Sequence, residues 1–408
     1  MDVATFGCAV AQAESEMIRG LLREAGLDCA DVTVVNTCTV KSPTETKILR
    51  LLRKLESEGR RVVVAGCVPA ARPQVAKEFP SFSFIGVNVK DVVEAVKAAG
   101  SGGRIVNIAE SGDKSCLPRD RLNPVVGILP IAEGCLGGCS FCQTKLARGR
   151  LRSYPQRKLK NEVEDMVRDG VKEVWVTAQD TGAYGADIKT SLPELLDSLT
   201  DVEGEFRIRV GMMNPDLALK MLDHIVKTYG NRKIYKFLHL PVQSGDDGVL
   251  RDMNRRYTAE GFRQVVDAFR RHKTTLSTDV IVGYPTEGEA AFQNTVDLLE
   301  EIQPDVLNST RYWPRPNTAA AGLKQLPGKE VKRRSRIVGE VFKRVGLKMN
   351  AGWVGWRGDV LLSEKNPDGT FTGRNDWYKP IIVRKGLLGE TVEVRIEKVT
   401  YFDLREKI

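Results

Sequence analysis

The first part of the chain alternates short apolar runs with amphipathic stretches. VTVVNTC (residues 32–38) and RVVVAGC (residues 61–67) have strand length, and the segment between them repeats apolar positions at helical spacing. Short buried strands separated by helices are typical of a parallel sheet, because each crossover helix covers the sheet on its way to the next strand. We therefore predict a small parallel α/β domain over residues 1–115.

The middle of the chain repeats this pattern. Six apolar runs have strand length, and a helical stretch follows most of them: VVGILPI, EVWVTAQ, FRIRVGM, YKFLHLPV, STDVIVGY and DVLNSTRYW. Successive βα units predict a full or partial βα barrel over residues 121–348, with functional residues on the loops that follow the strands. An open doubly wound sheet is the competing architecture.

The last part of the chain changes to strands and turns. NPDG (residues 366–369) is a hairpin turn signal, and GLLGETVEVRI (residues 386–396) has strand alternation. We predict a small antiparallel β-barrel over residues 349–408. The helical segment before it is strongly basic, which indicates either a solvated amphipathic face or a surface for a polyanion.

Composition and charge narrow the class of protein. Of the 408 residues 42% are apolar, and this fraction excludes a disordered chain. The net charge of +9 favours a polyanionic partner. No apolar run approaches the ~18 residues of a membrane helix, and the first residues lack a signal-peptide pattern. We expect a cytoplasmic monomer with no membrane partner.

Three cysteines, Cys135, Cys139 and Cys142, stand in EGCLGGCSFC directly after the first strand of the middle segment. Thiolates at spacings of four and three fall on one tight loop, and the glycines allow the backbone to curl around a cluster. A zinc site would need a fourth ligand, and no histidine is close in sequence. Three cysteines can hold a 4Fe–4S cluster with one iron open to a further ligand; three structural thiols are the alternative.

This loop resembles that of the radical S-adenosylmethionine superfamily. The resemblance implies that the open iron chelates the amino and carboxylate groups of S-adenosylmethionine, whose reductive cleavage gives methionine and a 5′-deoxyadenosyl radical. Phe141 matches the aromatic residue that packs near the adenine. The resemblance leaves no side chain to act as general acid or base, which agrees with a content of only three histidines.

Three further cysteines, Cys8, Cys38 and Cys67, lie at or near the ends of apolar runs in the first segment. Such ends converge on one edge of a parallel sheet, although each cysteine alone is more often a core residue. Residue by residue they match the N-terminal domain of the methylthiotransferase family, where this triad holds a second 4Fe–4S cluster that supports sulfur insertion. The chain departs from the family at Ala11, where Asn is common.

The resemblance covers the whole chain, through blocks such as GCSFCQTKLARGRLRSYP, HLPVQSGDDGVLRDMNRRYT and YWPRPNTAAA. It implies an α/β protein with an N-terminal methylthiotransferase domain, a radical-SAM partial (βα)6 barrel and a C-terminal RNA-binding TRAM barrel. The blocks are closest to the archaeal and eukaryotic branch, which converts N6-threonylcarbamoyladenosine beside the tRNA anticodon to its 2-methylthio derivative. The alternatives are isopentenyladenosine in tRNA, a ribosomal-protein aspartate, or a non-enzymatic Fe–S redox-sensing regulator that binds RNA.

Other candidate contacts follow from position and charge. Gln179 and Gln243 come after strands, as loop-borne cofactor contacts do, whereas Asp180 is equally a turn cap. Basic residues are the candidates for contact with RNA: Arg148, Arg152, Arg255, Arg256, Lys332 and Arg333. The expected partners are a tRNA anticodon stem-loop and a flavodoxin-like or ferredoxin-like electron donor, while the sulfur donor stays open.

Overall fold

In the computed structural model, which describes residues 2–108, 110 and 112–406, the chain begins with a five-stranded sheet. All its strands are parallel and follow one another in sequence order: β1 (Asp2–Thr5), β2 (Thr33–Thr37), β3 (Val62–Gly66), β4 (Ser83–Ile85) and β5 (Val106–Asn107). Helices connect the strands: α1 (Ala9–Glu24), α2 (Ser42–Ser57), α3 (Cys67–Ala71), α4 (Val75–Glu78), the 3-10 turn Val89–Asp91 and α5 (Val92–Gly100). The prediction of a parallel α/β domain is confirmed.

Both faces of this sheet are buried. Val34 and Val63 pack into one apolar core, whereas their neighbours Val35 and Val64 pack into the other. Because successive strand residues point to opposite faces, a strand covered on both sides must be apolar throughout. This explains the continuous valine runs of the sequence.

The middle segment contains six parallel strands in two three-stranded sheets. They are β6 (Val126–Pro130), β9 (Glu173–Thr177) and β10 (Arg207–Val210), then β11 (Phe237–His239), β12 (Thr275–Val282) and β13 (Val306–Arg311). A parallel bridge between Ile208 and Ile234 joins the two sheets, so the strands follow sequence order around the domain. A doubly wound sheet reverses its strand order at a switch point, and the described strands show no such reversal. The partial barrel is confirmed.

Shorter elements complete the middle segment. A two-stranded antiparallel ribbon, β7 (Ala132–Glu133) with β8 (Arg152–Ser153), follows β6. The helices are α6 (Thr144–Arg148), α7 (Gln156–Arg168), α8 (Leu192–Thr200), α9 (Pro215–Lys220), α10 (Leu222–Thr228), α11 (Asp247–Asp252), α12 (Ala259–Arg270), α13 (Glu289–Ile302) and α14 (Gly328–Ala351), with 3-10 turns at Thr181–Ala183 and Ala319–Gly322. None of the helices in the described part of the chain combines the length and apolarity that a bilayer crossing requires.

The C-terminal strands close into a barrel in the order β14-β15-β16-β18-β17. Their bounds are β14 (Arg357–Lys365), β15 (Phe371–Arg374), β16 (Pro380–Val383), β17 (Thr391–Val399) and β18 (Leu404–Glu406). The predicted barrel is confirmed, but β16 and β18 pair in parallel rather than antiparallel. An odd number of strands cannot alternate in direction all the way around a closed barrel, so one parallel pair is required.

The C-terminal barrel docks at the amino ends of the core strands. Glu173, the first residue of β9, accepts hydrogen bonds from the hydroxyls of Tyr378 (2.9 Å) and Tyr235 (3.2 Å). The opposite, carboxyl ends of the core strands are thereby left to the N-terminal domain. The domain boundaries given above stay a prediction: α14 runs past residue 348, and residues 1 and 408 lie outside the described range.

Candidate active site

The first cysteine triad lies where three neighbouring strands end. Cys8 follows β1 and caps α1, Cys38 follows β2, and Cys67 is the first residue of α3 after β3. Because the strands are parallel, all three thiols reach the same edge of the sheet. Gly7 has φ +131°, and a Cβ there would come within 3.3 Å of the Cys38 sulfur, so glycine keeps this edge open.

The second triad lies on the loop after β7. Cys135, Cys139 and Cys142 are half-buried there. A Cβ on Gly137 would stand 3.3 Å from the Cys135 sulfur and 3.6 Å from the Cys139 sulfur. The glycine therefore leaves open the space between the two thiols.

Both triads face one cavity of about 370 Å³. The N-terminal domain lines it with Cys8, Cys38 and Cys67, and the core lines it with Cys135, Cys139 and Cys142. Phe141, Gln179, Gln243, Arg148 and Arg255 also line this space. We call it the cysteine cavity, and it lies at the carboxyl ends of the strands of both domains.

The thiols of this cavity fit iron–sulfur clusters better than a single metal ion. All six cysteines are free of disulfides, and burial raises the pKa of Cys67 to about 12 and that of Cys135 to about 11. A buried thiolate needs a positive partner, which bound iron supplies. No three His, Cys, Asp or Glu side chains of the described residues converge on one point as a mononuclear site requires. In a cluster each cysteine ligates its own iron, so its ligands stand apart.

Two glutamines show features of a binding site. The side-chain oxygen of Gln179 is buried and has no hydrogen-bond partner in residues 2–108, 110 and 112–406. Gln243 has φ +68°, and its backbone is held there by a 2.8 Å bond to the Asp279 carbonyl and a 3.0 Å bond from the Ile281 amide. Unpaired buried acceptors and constrained left-handed residues concentrate at ligand sites.

Arg255 sits beside the second triad. Its guanidinium donates to the Cys139 sulfur (2.9 Å), to the Tyr257 hydroxyl (2.9 Å) and to the side-chain oxygen of Asn214. Asn214 in turn donates to Asp180, which also accepts from the Gly182 amide as a turn cap. The donors of Arg255 are directed into the cavity, and its contact with RNA stays a prediction.

Arg148 belongs to a buried ionic network between the two domains. Its guanidinium pairs with Glu14 of α1 (2.9 Å) and Glu133 of β7 (2.7 Å) and donates to the Cys67 sulfur (3.3 Å). Lys114 pairs with the same two carboxylates. Burial alone would raise the pKa of Glu14, but Arg148 and Lys114 outweigh it and lower that pKa to about 2. The side chain of Arg148 is only 2% exposed and its donors are engaged within the protein. Its contact with RNA stays a prediction.

Sequence reasoning missed Arg315, which also bridges the two domains. Its buried guanidinium donates to Thr39 (2.8 Å), next to Cys38, and to Gln143 (2.6 Å), next to Cys142. It also pairs with Glu45 of α2. The signal was its position in YWPRPNTAAA, one of the blocks that carry the family resemblance.

Comparisons with known proteins agree with this architecture. Three family models match: "Uncharacterized protein family UPF0004" over residues 1–86, "Radical SAM superfamily" over 129–299 and "TRAM domain" over 354–405. A Homo sapiens protein named "Threonylcarbamoyladenosine tRNA methylthiotransferase" is 36% identical over 97% of this chain and 71% of its own. A Pyrococcus horikoshii protein named "Probable threonylcarbamoyladenosine tRNA methylthiotransferase" is 43% identical over 97% of this chain and 96% of its own.

The chain belongs to the threonylcarbamoyladenosine tRNA methylthiotransferase family. The resemblance predicted from the cysteine motifs is confirmed, and with it the radical SAM enzyme class and its cofactors, 4Fe–4S clusters and S-adenosylmethionine. Among solved structures, the radical S-adenosylmethionine methyltransferase TsrM from Kitasatospora setae is similar, with a TM-score of 0.58 over 78% of this chain and 76% of its own. At 14% identity this likeness concerns the fold alone.

The other basic candidates of this methylthiotransferase lie at the surface. Arg256, Lys332 and Arg152 are exposed, and Arg152 lies near Glu110. Arg333 pairs with Glu289 (2.6 Å) and Glu330 (2.7 Å), so carboxylates already balance its charge. Contact of these four residues with RNA stays a prediction.

Proposed function

We propose that this methylthiotransferase converts N6-threonylcarbamoyladenosine beside the tRNA anticodon to its 2-methylthio derivative. The observation that carries the proposal is the cysteine cavity, which both cysteine triads line together. Radical generation and sulfur supply must act on the same carbon, and a shared cavity satisfies that requirement of proximity. The names of archaeal and human relatives at 43% and 36% identity support the choice of base.

In this proposal Cys135, Cys139 and Cys142 hold one 4Fe–4S cluster, and Cys8, Cys38 and Cys67 hold the second. When bound, these clusters and S-adenosylmethionine would supply the methyl group and the radical that removes hydrogen from carbon 2 of the adenine, and the second cluster would support insertion of sulfur from a donor that stays open. Free thiols in two groups of three and the open space beside Gly137 support the assignment.

The chain itself binds, orients and excludes water. The unpaired oxygen of Gln179 is an acceptor for the amino group of S-adenosylmethionine, and Phe141 offers an apolar face to an adenine ring. Arg255 donates a hydrogen bond to the Cys139 sulfur, and Arg148 donates one to the Cys67 sulfur. The two interdomain ionic contacts hold the triads on opposite walls of the same space.

We further propose that the C-terminal barrel and the basic surface bind the anticodon stem-loop, with Arg152, Arg256, Lys332 and Arg333 near phosphates. The match of residues 354–405 to the TRAM domain and the net charge of +9 support this part. A flavodoxin-like or ferredoxin-like donor supplies electrons in the proposal, and the protein acts as a monomer in the cytoplasm.

Mass spectrometry of nucleosides tests the proposal. Anaerobically reconstituted protein is incubated with reductant, sulfide, S-adenosylmethionine and tRNA that carries threonylcarbamoyladenosine but no methylthio group. A new methylthio-threonylcarbamoyladenosine peak is the expected result. Parallel reactions with isopentenyladenosine tRNA and with ribosomal protein as substrates test the two other targets of the family.

The outcomes separate the alternatives. Deoxyadenosine without the expected peak would keep the radical chemistry and reject the substrate. Product on isopentenyladenosine or on the ribosomal protein would reassign the substrate to that molecule. Intact clusters with neither deoxyadenosine nor product would favour the Fe–S regulator instead.

A further inference from the structure

A second pocket, of about 330 Å³, adjoins the cysteine cavity. The two spaces share Phe141, Cys142, Gln243 and Asp279 as lining residues. Beyond this common wall the second pocket is lined by the loop after β2 and by the carboxyl ends of β12 and β13. We call it the outer pocket. It is therefore the neighbouring space for a substituent of a group held at the cysteine cavity.

The outer pocket carries one cation from the N-terminal domain. Lys41, the residue directly before α2, lines it and is exposed. Among the described residues no hydrogen bond or ion pair within 4.0 Å engages the Lys41 ammonium group. The charge of Lys41 contributes to lowering the pKa of Asp279, which lines the same pocket. The ammonium group is thus available to an anionic ligand.

The facing wall is polar and already arranged. Asp279 uses one carboxylate oxygen to accept from His239 (3.1 Å) and the other to accept from the Asn308 amide (2.8 Å). Burial alone would raise the pKa of Asp279. The hydrogen bonds from His239 and Asn308, together with the charge of Lys41, outweigh burial and lower that pKa. The amide of Asn308 is thereby oriented, and its carbonyl oxygen remains an acceptor. Thr310, next on the same face of β13, adds a hydroxyl to the lining.

We infer that the outer pocket binds the anionic substituent on N6 of the adenine, with Lys41 ion-paired to its carboxylate. The inference rests on the proposed function and deepens it. A threonylcarbamoyl group carries a carboxylate, carbamoyl N–H donors and a hydroxyl, which match the Lys41 ammonium, the Asn308 carbonyl and the Thr310 hydroxyl. An isopentenyl group has none of these and would leave the polar groups of the pocket unpaired.

Neutralising the carboxylate on the RNA and the cation on the protein tests the pairing. Anticodon stem-loops are prepared with threonylcarbamoyladenosine or with its methyl ester, and kcat/KM for methylthiolation is measured with wild type and Lys41→Met. We expect either change alone to lower kcat/KM by about 10- to 100-fold, as for a charged hydrogen bond, and the two together to cost no more than one. Lys41→Arg should restore discrimination against the ester.

Lys47→Met is the matched control, because Lys47 is an exposed lysine on the same helix, outside the outer pocket. A Lys41→Met enzyme that still discriminates against the ester as the wild type does would overturn the inference, since Lys41 would then act on a phosphate or on nothing. A wild type that makes no product from either RNA would instead reject the proposed function, and the inference with it.

Discussion

The two cysteine triads face the same cavity but depend on the fold to different degrees. Cys135, Cys139 and Cys142 come from one loop, whose glycines leave room for a cluster. Cys8, Cys38 and Cys67 come from the ends of three strands and meet only when the parallel sheet has formed. The comparison teaches that a short motif can bring three thiols together by itself, whereas the other triad exists only as a property of a folded domain.

The arginines beside the triads differ in the same way. Arg255 and the thiol it contacts, Cys139, belong to one domain, and the other partners of Arg255 are neutral. Arg148 belongs to the core but contacts Cys67 of the N-terminal domain, and its other partners are carboxylates in a buried network. The environment of the N-terminal triad is therefore completed across the domain interface.

Removing one cysteine from each triad is expected to have the largest effect. Cys139→Ala should lose half of the iron and all cleavage of S-adenosylmethionine, while RNA affinity survives. Cys38→Ala should lose the other half of the iron, still cleave S-adenosylmethionine and make no methylthio product. Iron and sulfide content, deoxyadenosine yield and nucleoside mass spectra are the measurements. The exposed Cys29→Ala serves as the control, and a Cys38→Ala protein with full iron content would contradict the assignment.

Arg148→Met should be strongly destabilising. Removing this guanidinium leaves Glu14 and Glu133 buried with only Lys114 to balance them, so we expect a loss of about 3–5 kcal/mol in the free energy of unfolding. Urea denaturation of the cluster-free protein measures it. Arg336→Met, at a position where the side chain is 74% exposed, should change stability by no more than about 0.5 kcal/mol. Equal stability of the two variants would refute the structural role of the network.

Glu16 on α1 should make the stability of the N-terminal domain depend on pH. Burial raises the pKa of Glu16 from 4.5 to about 7, since Arg119 at 3.9 Å compensates only in part. A raised carboxyl pKa means that stability is fully present below pH 4.5 and is lost as pH rises through about 7. The free energy of unfolding of wild type should fall by up to about 3 kcal/mol as Glu16 ionises, and Glu16→Gln should lack this fall. Urea denaturation between about pH 5 and 8 measures both. If the free energy of unfolding depended on pH in the same way in Glu16→Gln and wild type, Glu16 would not be the source of the pH dependence.

Arg255→Lys should affect chemistry more than stability. Lysine keeps the charge but cannot donate to Cys139, Asn214 and Tyr257 at once, so we expect cleavage of S-adenosylmethionine to fall about 10- to 100-fold. The electron paramagnetic resonance spectrum of the reduced cluster should shift, which a purely structural role would not produce. Arg256→Lys, at the exposed neighbouring position, is the control, and both variants are assayed for cleavage of S-adenosylmethionine in the absence of RNA. Unchanged spectra and rates would show that Arg255 does not influence the cluster.

Much of the molecule was predictable because its signals are local. The valine runs predicted buried parallel strands, since both faces of such a sheet are covered. Six βα repeats predicted the barrel, and the spacing of Cys135, Cys139 and Cys142 predicted their common loop. The parallel pair in the C-terminal barrel was not predicted, because closure of five strands is a property of the whole ring rather than of any segment.

The sequence by itself determined the elements, their order and the residue types available for chemistry. Only the tertiary structure decided which charges are buried, because a guanidinium has the same appearance in sequence whether it faces a phosphate or a carboxylate. It placed Arg148 and Arg255 beside thiols and gave Arg315 its bridging position. It also joined the two triads into one cavity, because the edges of two separate sheets meet only when the domains pack.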